Sequence, residues 1–208
     1  MKYDFPIVLV VAFIRVRDKI KRLVSTLLSL YLCWAWGIVA GSVLFLGPVI
    51  IRTRRRGEIR LGKGVVFVAD SRLNAVGLNC PTMLETMNGG RIEVGDYSGF
   101  SAVAISSHTS VRVGSRVKVG ANVKIFDHDF HAIDAQIRSS VLDRNNVRTL
   151  PIEIGDDCFI GAGSVILKGS RLGPRTIVAA GSVVFGLSTP SDSLVRGNPA
   201  VVVSRKRI

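Results

Sequence analysis

The sequence predicts a mainly β chain wound as a parallel β-helix, preceded by an apolar, helical, membrane-associated segment. Three observations carry that expectation. Ile154 to Thr189 divides into six hexapeptides (IGDDCF, IGAGSV, ILKGSR, LGPRTI, VAAGSV, VFGLST), each opening on an aliphatic residue: Ile154, Ile160, Ile166, Leu172, Val178 and Val184. Gly or Ala follows four of those six, and small residues suit tight corners. Leu23 to Ile51, in contrast, holds no charged side chain.

A helix period of 3.6 scatters residues six apart around its axis, and a strand of period 2 never turns. A coil that turns a corner every six residues keeps all six aliphatic positions inside, each stacked on its counterpart one coil away. The repeat therefore fixes a solenoid.

Taken in order, Phe5 to Ile14 is apolar but too short to span a bilayer, and Arg15, Arg17, Lys19, Lys21 and Arg22 follow it. Leu23 to Ile51 exceeds the roughly 20 apolar residues that cross a hydrocarbon core, carries Tyr31, Trp34 and Trp36, and is closed by Arg52, Arg54, Arg55 and Arg56. Residues 1–58 are thus expected to associate with a membrane. Basic clusters at both ends favour a monotopic or re-entrant arrangement over a span, on the cytoplasmic face of the inner (cell) membrane. Residues 59–190 are expected to form the β-helix: LGKGVV, FVADSR and LNAVGL keep the step from Leu61, Asn79 to Gly90 reads as a loop, and the step returns from Val94. A second break, 127–151, is polar and reads as an inserted loop, while 191–208 reads as a basic tail that has lost the repeat.

Composition narrows the function. The chain has 208 residues, is 48% hydrophobic and carries a formal charge of +13. Residues 1–60 hold 11 Lys and Arg against 3 Asp and Glu, so the basicity sits mostly at the membrane-associated end. No nucleic-acid-binding motif is visible, and the charge is not read as a nucleic-acid footprint. Three widely spaced cysteines, Cys33, Cys80 and Cys158, suggest neither a disulfide framework nor a metal motif, and no metal is expected.

The histidines point to chemistry. His108, His128 and His131 all lie near the second break, and DHDFHAID, from Asp127 to Asp134, opens it. Side chains in an excursion are released from the packing rule, and an imidazole there can act as a general base near neutral pH.

The stretch from about Val94 onward resembles the hexapeptide-repeat O-acetyltransferases, the group of the maltose and galactoside acetyltransferases and of enzymes that acetylate surface polysaccharides. The resemblance rests on VGANVKIFDHDFHAID, on PIEIGDDCFIGAGSVILKGSRLGPRTIVAAGSVV, and on GNPAVVVSRKR. It implies a left-handed β-helix, a homotrimer, acetyl-CoA as co-substrate and a sugar hydroxyl as acceptor. It implies a loop histidine as base: His131 by alignment of FHAID, or His128 in the DHD context, with Asp127 or Asp129 orienting the ring. It also implies that Gly161, Ala162, Ala179 and Ala180 pass the pantetheine arm, and that Lys168, Arg205 and Lys206 meet donor phosphates. Phe159, where many relatives have Trp, departs from the pattern. Two other readings remain at this point: an inert membrane-bound scaffold, and a γ-type carbonic anhydrase that uses the three histidines on zinc.

Overall fold

The computed structural model describes residues 5–74 and 76–203, with backbone alone for 5–15, 18, 19, 21 and 22. A helix, Phe5–Ala35, leads into seven successive coils whose strands fall into three parallel sheets. Each of the first six coils contributes in turn to the first, second and third sheet and the seventh to the first two, so strands adjacent in sequence are never paired until the last hairpin. This is a parallel β-helix, consistent with the left-handed hexapeptide-repeat form.

The coils stack residue on residue. In the third sheet Ile51, Leu84, Ile105, Ile125, Ile166 and Val184 lie in one register column. In the second the column is Phe45, Phe67, Phe100, Val119, Ile160, Val178 and Val195. Its three phenylalanine rings stack at 5.1 and 4.7 Å, an arrangement that adds to the stabilisation from burial alone. All six aliphatic residues of the repeat run are at most 3% exposed. At about 1.5–3 kcal/mol for each fully buried side chain, these columns supply the main favourable term for folding.

Glycine is obligatory at one corner. A Cβ on Gly62, Gly95, Gly114, Gly155 or Gly173 would lie 2.4–2.6 Å from an atom of the next coil, so only hydrogen fits between corners at this spacing.

Three sequence expectations are corrected at this level. Leu23–Ile51 is not one helix: the helix ends at Ala35, the chain turns at Gly37 (φ +62°), and Val39–Ala40, Val43–Leu46 and Val49–Arg52 form the first coil. The apolar run is therefore divided between an end-capping helix and the first coil of the solenoid. Among the described residues no helix is long and apolar enough to cross a membrane. Second, Thr82–Thr86 is a strand of the third sheet and the excursion precedes it, so the step expected from Leu73 is not kept, and Leu73 and Val76 are exposed. Third, the repeat outlasts residue 190: Leu194 and Val195 register on Ile177 and Val178. The antiparallel strand Ala200–Val203 then closes that edge.

The N-terminal helix caps the other end. Leu32 and Cys33 pack on the core, and the buried Ser29 hydroxyl accepts from the Phe45 N–H at 2.9 Å while donating to the Ser25 carbonyl at 2.6 Å. Phe45 belongs to the outermost coil and has no preceding strand to bond, so Ser29 supplies the partner its amide would otherwise lack.

Candidate active site

The excursion 127–151 leaves the third sheet after Lys124–Phe126 and returns to the first at Ile152–Ile154. Its root is zipped by backbone bonds: Leu150 N–H to the Asp127 carbonyl at 2.9 Å, and Asp129 N–H to the Arg148 carbonyl at 3.2 Å. Asp127 itself is fully buried. Its oxygens accept from the Ser107 hydroxyl and from the amides of His108, Thr109 and Ser110, at 2.7–2.8 Å. With four donors already on it, Asp127 anchors the neighbouring turn and orients no imidazole.

Asp129 is ion-paired with Lys168, whose ammonium also lies 4.7 Å from the centre of the Phe185 ring. The expectation that Lys168 meets a phosphate is corrected by this geometry, since the side chain is buried and turned to the root of the loop. Asp129, in turn, is spent on Lys168 rather than on a histidine. Its second oxygen is buried with no partner among the described residues.

The two candidate bases occupy opposite environments. His128 is buried, its Nδ1 accepts from the Phe130 N–H at 3.2 Å, and its Nε2 lies 3.0 Å from the Ser106 hydroxyl. Because Nδ1 accepts, Nε2 carries the proton and donates to the Ser106 hydroxyl, which in turn donates to Glu85 Oε2 at 2.8 Å. No lone pair is left for a substrate. The ring stacks on His108 at 3.7 Å between centroids, and burial followed by that neighbour lowers its pKa to about 4. Burial also lowers the pKa of His108, whose Nε2 has no partner among the described residues.

His131 stands open. Its Nδ1 is 2.7 Å from Asp143 Oδ2, and its side chain is 67% exposed against 15% for Asp143. The carboxylate is fixed from its other oxygen by the Ala132 N–H at 2.7 Å. That amide bond first, and then the imidazole, holds Asp143 below the usual carboxylate range. Arg138 clamps the same turn through the carbonyls of Ala132 and Ile133, and Asp134 caps the short helix Ala135–Arg138 through the amides of Gln136 and Ile137. A carboxylate on Nδ1 leaves Nε2 as an accessible acceptor, the arrangement a general base needs. Asp143 was visible in the sequence only as one polar loop residue among several. Its distance of twelve residues from His131 gives no periodic signal.

The remaining candidates lie one or two coils away. A Cβ on Gly161 would meet Ala180 N at 2.4 Å, so coil stacking demands its smallness. Ala162 and Ala179 are half-buried beside it, and Ala180 is exposed. Arg205 and Lys206 lie outside the described residues. Among the described residues no group of three His, Cys, Asp or Glu side chains is arranged to hold a metal ion.

Residues 151–186 match the family described as "Bacterial transferase hexapeptide (six repeats)". That stretch, 36 of the chain's 208 residues, carries the repeat pattern of this transferase family. The chain is similar to "Putative acetyltransferase YJL218W" of Saccharomyces cerevisiae, 32% identical over 119 residues. It is also similar to "Putative lipopolysaccharide biosynthesis O-acetyl transferase WbbJ" of Escherichia coli K12, 26% identical over 156 residues. The yeast match covers 56% of this chain and 57% of its relative; the E. coli match covers 73% and 74%. The solved structure of the hexapeptide-repeat acetyltransferase VCA0836 of Vibrio cholerae, complexed with acetyl coenzyme A, covers 83% of this chain and 72% of its own. At a TM-score of 0.55 and 22% identity, that likeness is one of fold.

Proposed function

We propose that this protein transfers an acetyl group from acetyl-CoA to a sugar hydroxyl, with His131 as the general base. The observation that carries the reading is the His131–Asp143 pair: an open imidazole whose far nitrogen is free and whose near nitrogen is held by a covered, fixed carboxylate. Nε2 takes the acceptor hydroxyl proton as the oxygen attacks the thioester carbonyl. Asp143 stabilises the imidazolium that forms, backbone N–H groups hold the tetrahedral oxyanion, and collapse breaks the C–S bond. The imidazolium then returns its proton to the departing CoA sulfur, so the base is regenerated.

His128, with both nitrogens engaged, supports the floor of the site, and Lys168–Asp129 pins the root of the loop. The donor arm would run along the corners at Gly161, Ala162, Ala179 and Ala180, with Arg205 and Lys206 toward its phosphates. The acceptor class is supported by the relative named for lipopolysaccharide biosynthesis, and we place the protein as a trimer at the cytoplasmic surface of the cell membrane, acting on a surface polysaccharide or its lipid-linked precursor.

The test is release of CoA thiol from acetyl-CoA in the presence of a panel of hydroxyl and amino sugars. Release that requires a hydroxyl sugar, yielding a product cleaved by mild base, is the expected result. A base-stable amide on an amino sugar would overturn the hydroxyl assignment, and absence of release with every sugar would return the chain to the scaffold reading. His131→Ala should abolish release, whereas full activity of that variant would remove His131 from the mechanism.

A further inference from the structure

The N-terminal helix has a second side. Ser25, Ser29, Leu32 and Cys33 face the first coil, but Ile20, Leu23, Leu27, Leu30, Tyr31 and Trp34 are each 57–70% exposed. Such a row of large apolar side chains, with no charge after Arg22 to interrupt it, exceeds the scattered apolar exposure normal on a soluble surface. Because the helix packs across the end of the solenoid, this face points away from the coils and from the excursion.

A basic turn adjoins it. Arg54, Arg55 and Arg56 are exposed, and the turn is tied to the end of the helix by the Gly57 N–H to the Gly37 carbonyl at 2.9 Å. Arg56 and Trp34 line one shallow depression there. On the flank, a groove of about 670 Å³ runs between the helix and the outer coils, lined by Val24, Leu28, Phe45 and Val68 and also by Asp70 and Arg72. Apolar face, aromatic residues at its end, and adjacent arginines are the three elements of an anionic lipid interface.

We infer that the outer face of the N-terminal helix docks on an anionic phospholipid surface, lying in the headgroup boundary without crossing. The occupant follows from charge. A second copy of a chain carrying +13 would bring its own basic turns against these, whereas anionic headgroups neutralise them. Depth follows from the fold: the chain leaves the helix at Gly37 directly into the first coil, so the solenoid stands on the surface while the apolar side chains enter about 5–10 Å.

The inference is independent of the acetyl-transfer reading, because lipid binding is measured without turnover. The chain has two tryptophans, Trp34 and Trp36, both at this end of the helix, so their fluorescence reports the patch directly. Full-length protein is titrated with vesicles of phosphatidylcholine alone and of phosphatidylcholine with phosphatidylglycerol. A blue shift, sedimentation with the anionic vesicles, and quenching by lipids brominated near the headgroup more than near the chain terminus are expected. Leu27→Glu with Leu30→Glu should lower partitioning by more than tenfold while leaving the unfolding midpoint unchanged. Replacing Arg54, Arg55 and Arg56 by Gln should lower it on the order of a hundredfold in anionic vesicles, and little in neutral ones. No partitioning of the wild-type chain would overturn the inference, as would unchanged binding by both variants. So would a fall in assembly mass, by sedimentation velocity, in the Leu27/Leu30 variant without any vesicle binding in the parent, which would assign the face to a second copy.

Discussion

Two excursions interrupt the coils, 69–81 and 127–151, and they are built on opposite plans. The first is laid down on the scaffold: Asn74 donates to the Ser101 hydroxyl at 3.0 Å, and Asn122 accepts from Asn79 N and donates to the Gly77 carbonyl. The ion pair of Asp70 with Arg72 is local. The second uses the scaffold only at its root, through Asp127, His128 and Asp129, and then bonds mainly to itself through Asp134, Arg138 and Asp143. A loop tied to the coils at many points presents a surface. One tied at its root and braced internally can hold a reactive group away from the coils in a fixed orientation.

The largest expected separation between the two is in catalysis. His131→Ala should lower acetyl transfer by about 10²–10⁴-fold with an unchanged circular dichroism spectrum, while Asn74→Ala in the first excursion should leave the rate within about twofold. Equal losses would erase the distinction.

Next comes the pH dependence of stability, which tests the root. His128 titrates near 4 in the folded chain against an ordinary 6.5, so the proton is bound preferentially by the unfolded state. Its stabilising contribution is full above pH 6.5 and is lost as the pH falls toward 4, by about 3 kcal/mol, and His108 shifts in the same direction. Urea unfolding at pH 7.5 and 4.5 reads this directly, and His128→Gln should flatten the difference.

Asp143→Asn should cost about tenfold to a hundredfold in rate by releasing Nδ1, with little effect on stability; a loss equal to that of His131→Ala would make the carboxylate more than a positioning group. Smallest is Asn122→Ala, which removes the ties of the first excursion and a residue in a left-handed conformation (φ +60°). A fall of about 1 kcal/mol by thermal melting is expected, with the rate untouched.

What the sequence disclosed tracks how local the cause is. The regular coils were legible because each inward aliphatic residue repeats every six positions and owes its burial to identical neighbours, as Ile160, Ile166 and Val178 show. The first coil was hidden because its inward residues, among them Phe45 and Ile51, sit in a stretch where everything is apolar, so no outward residue marks the alternation. Thr82–Thr86 was hidden for the reverse reason, since its inward positions include Thr82 and Thr86, which bury hydroxyls; Thr86 bonds Glu58 at 2.6 Å.

At the site, the histidine loop was legible as an interruption, yet the partner assignments were not. Asp127 and Asp129 adjoin the histidines in sequence, but the turn at 107–110 and Lys168 claim them first. Asp143 reaches His131 only because the loop folds back on itself, and the His108–His128 stack exists only through pairing of adjacent coils.

The uniform stacking of the coils has one further consequence. Three strand spacings separate the first coil from the one that launches the His131 excursion, a rise of about 14 Å at the usual interval between neighbouring strands. Since each coil contacts only those above and below it, the separation between the capped end and the reactive imidazole comes in whole steps. Insertion or removal of one complete coil between Arg91–Val94 and Ile59–Leu61 would raise or lower the site by one such step, leaving its internal geometry intact, so the architecture sets working height independently of chemistry.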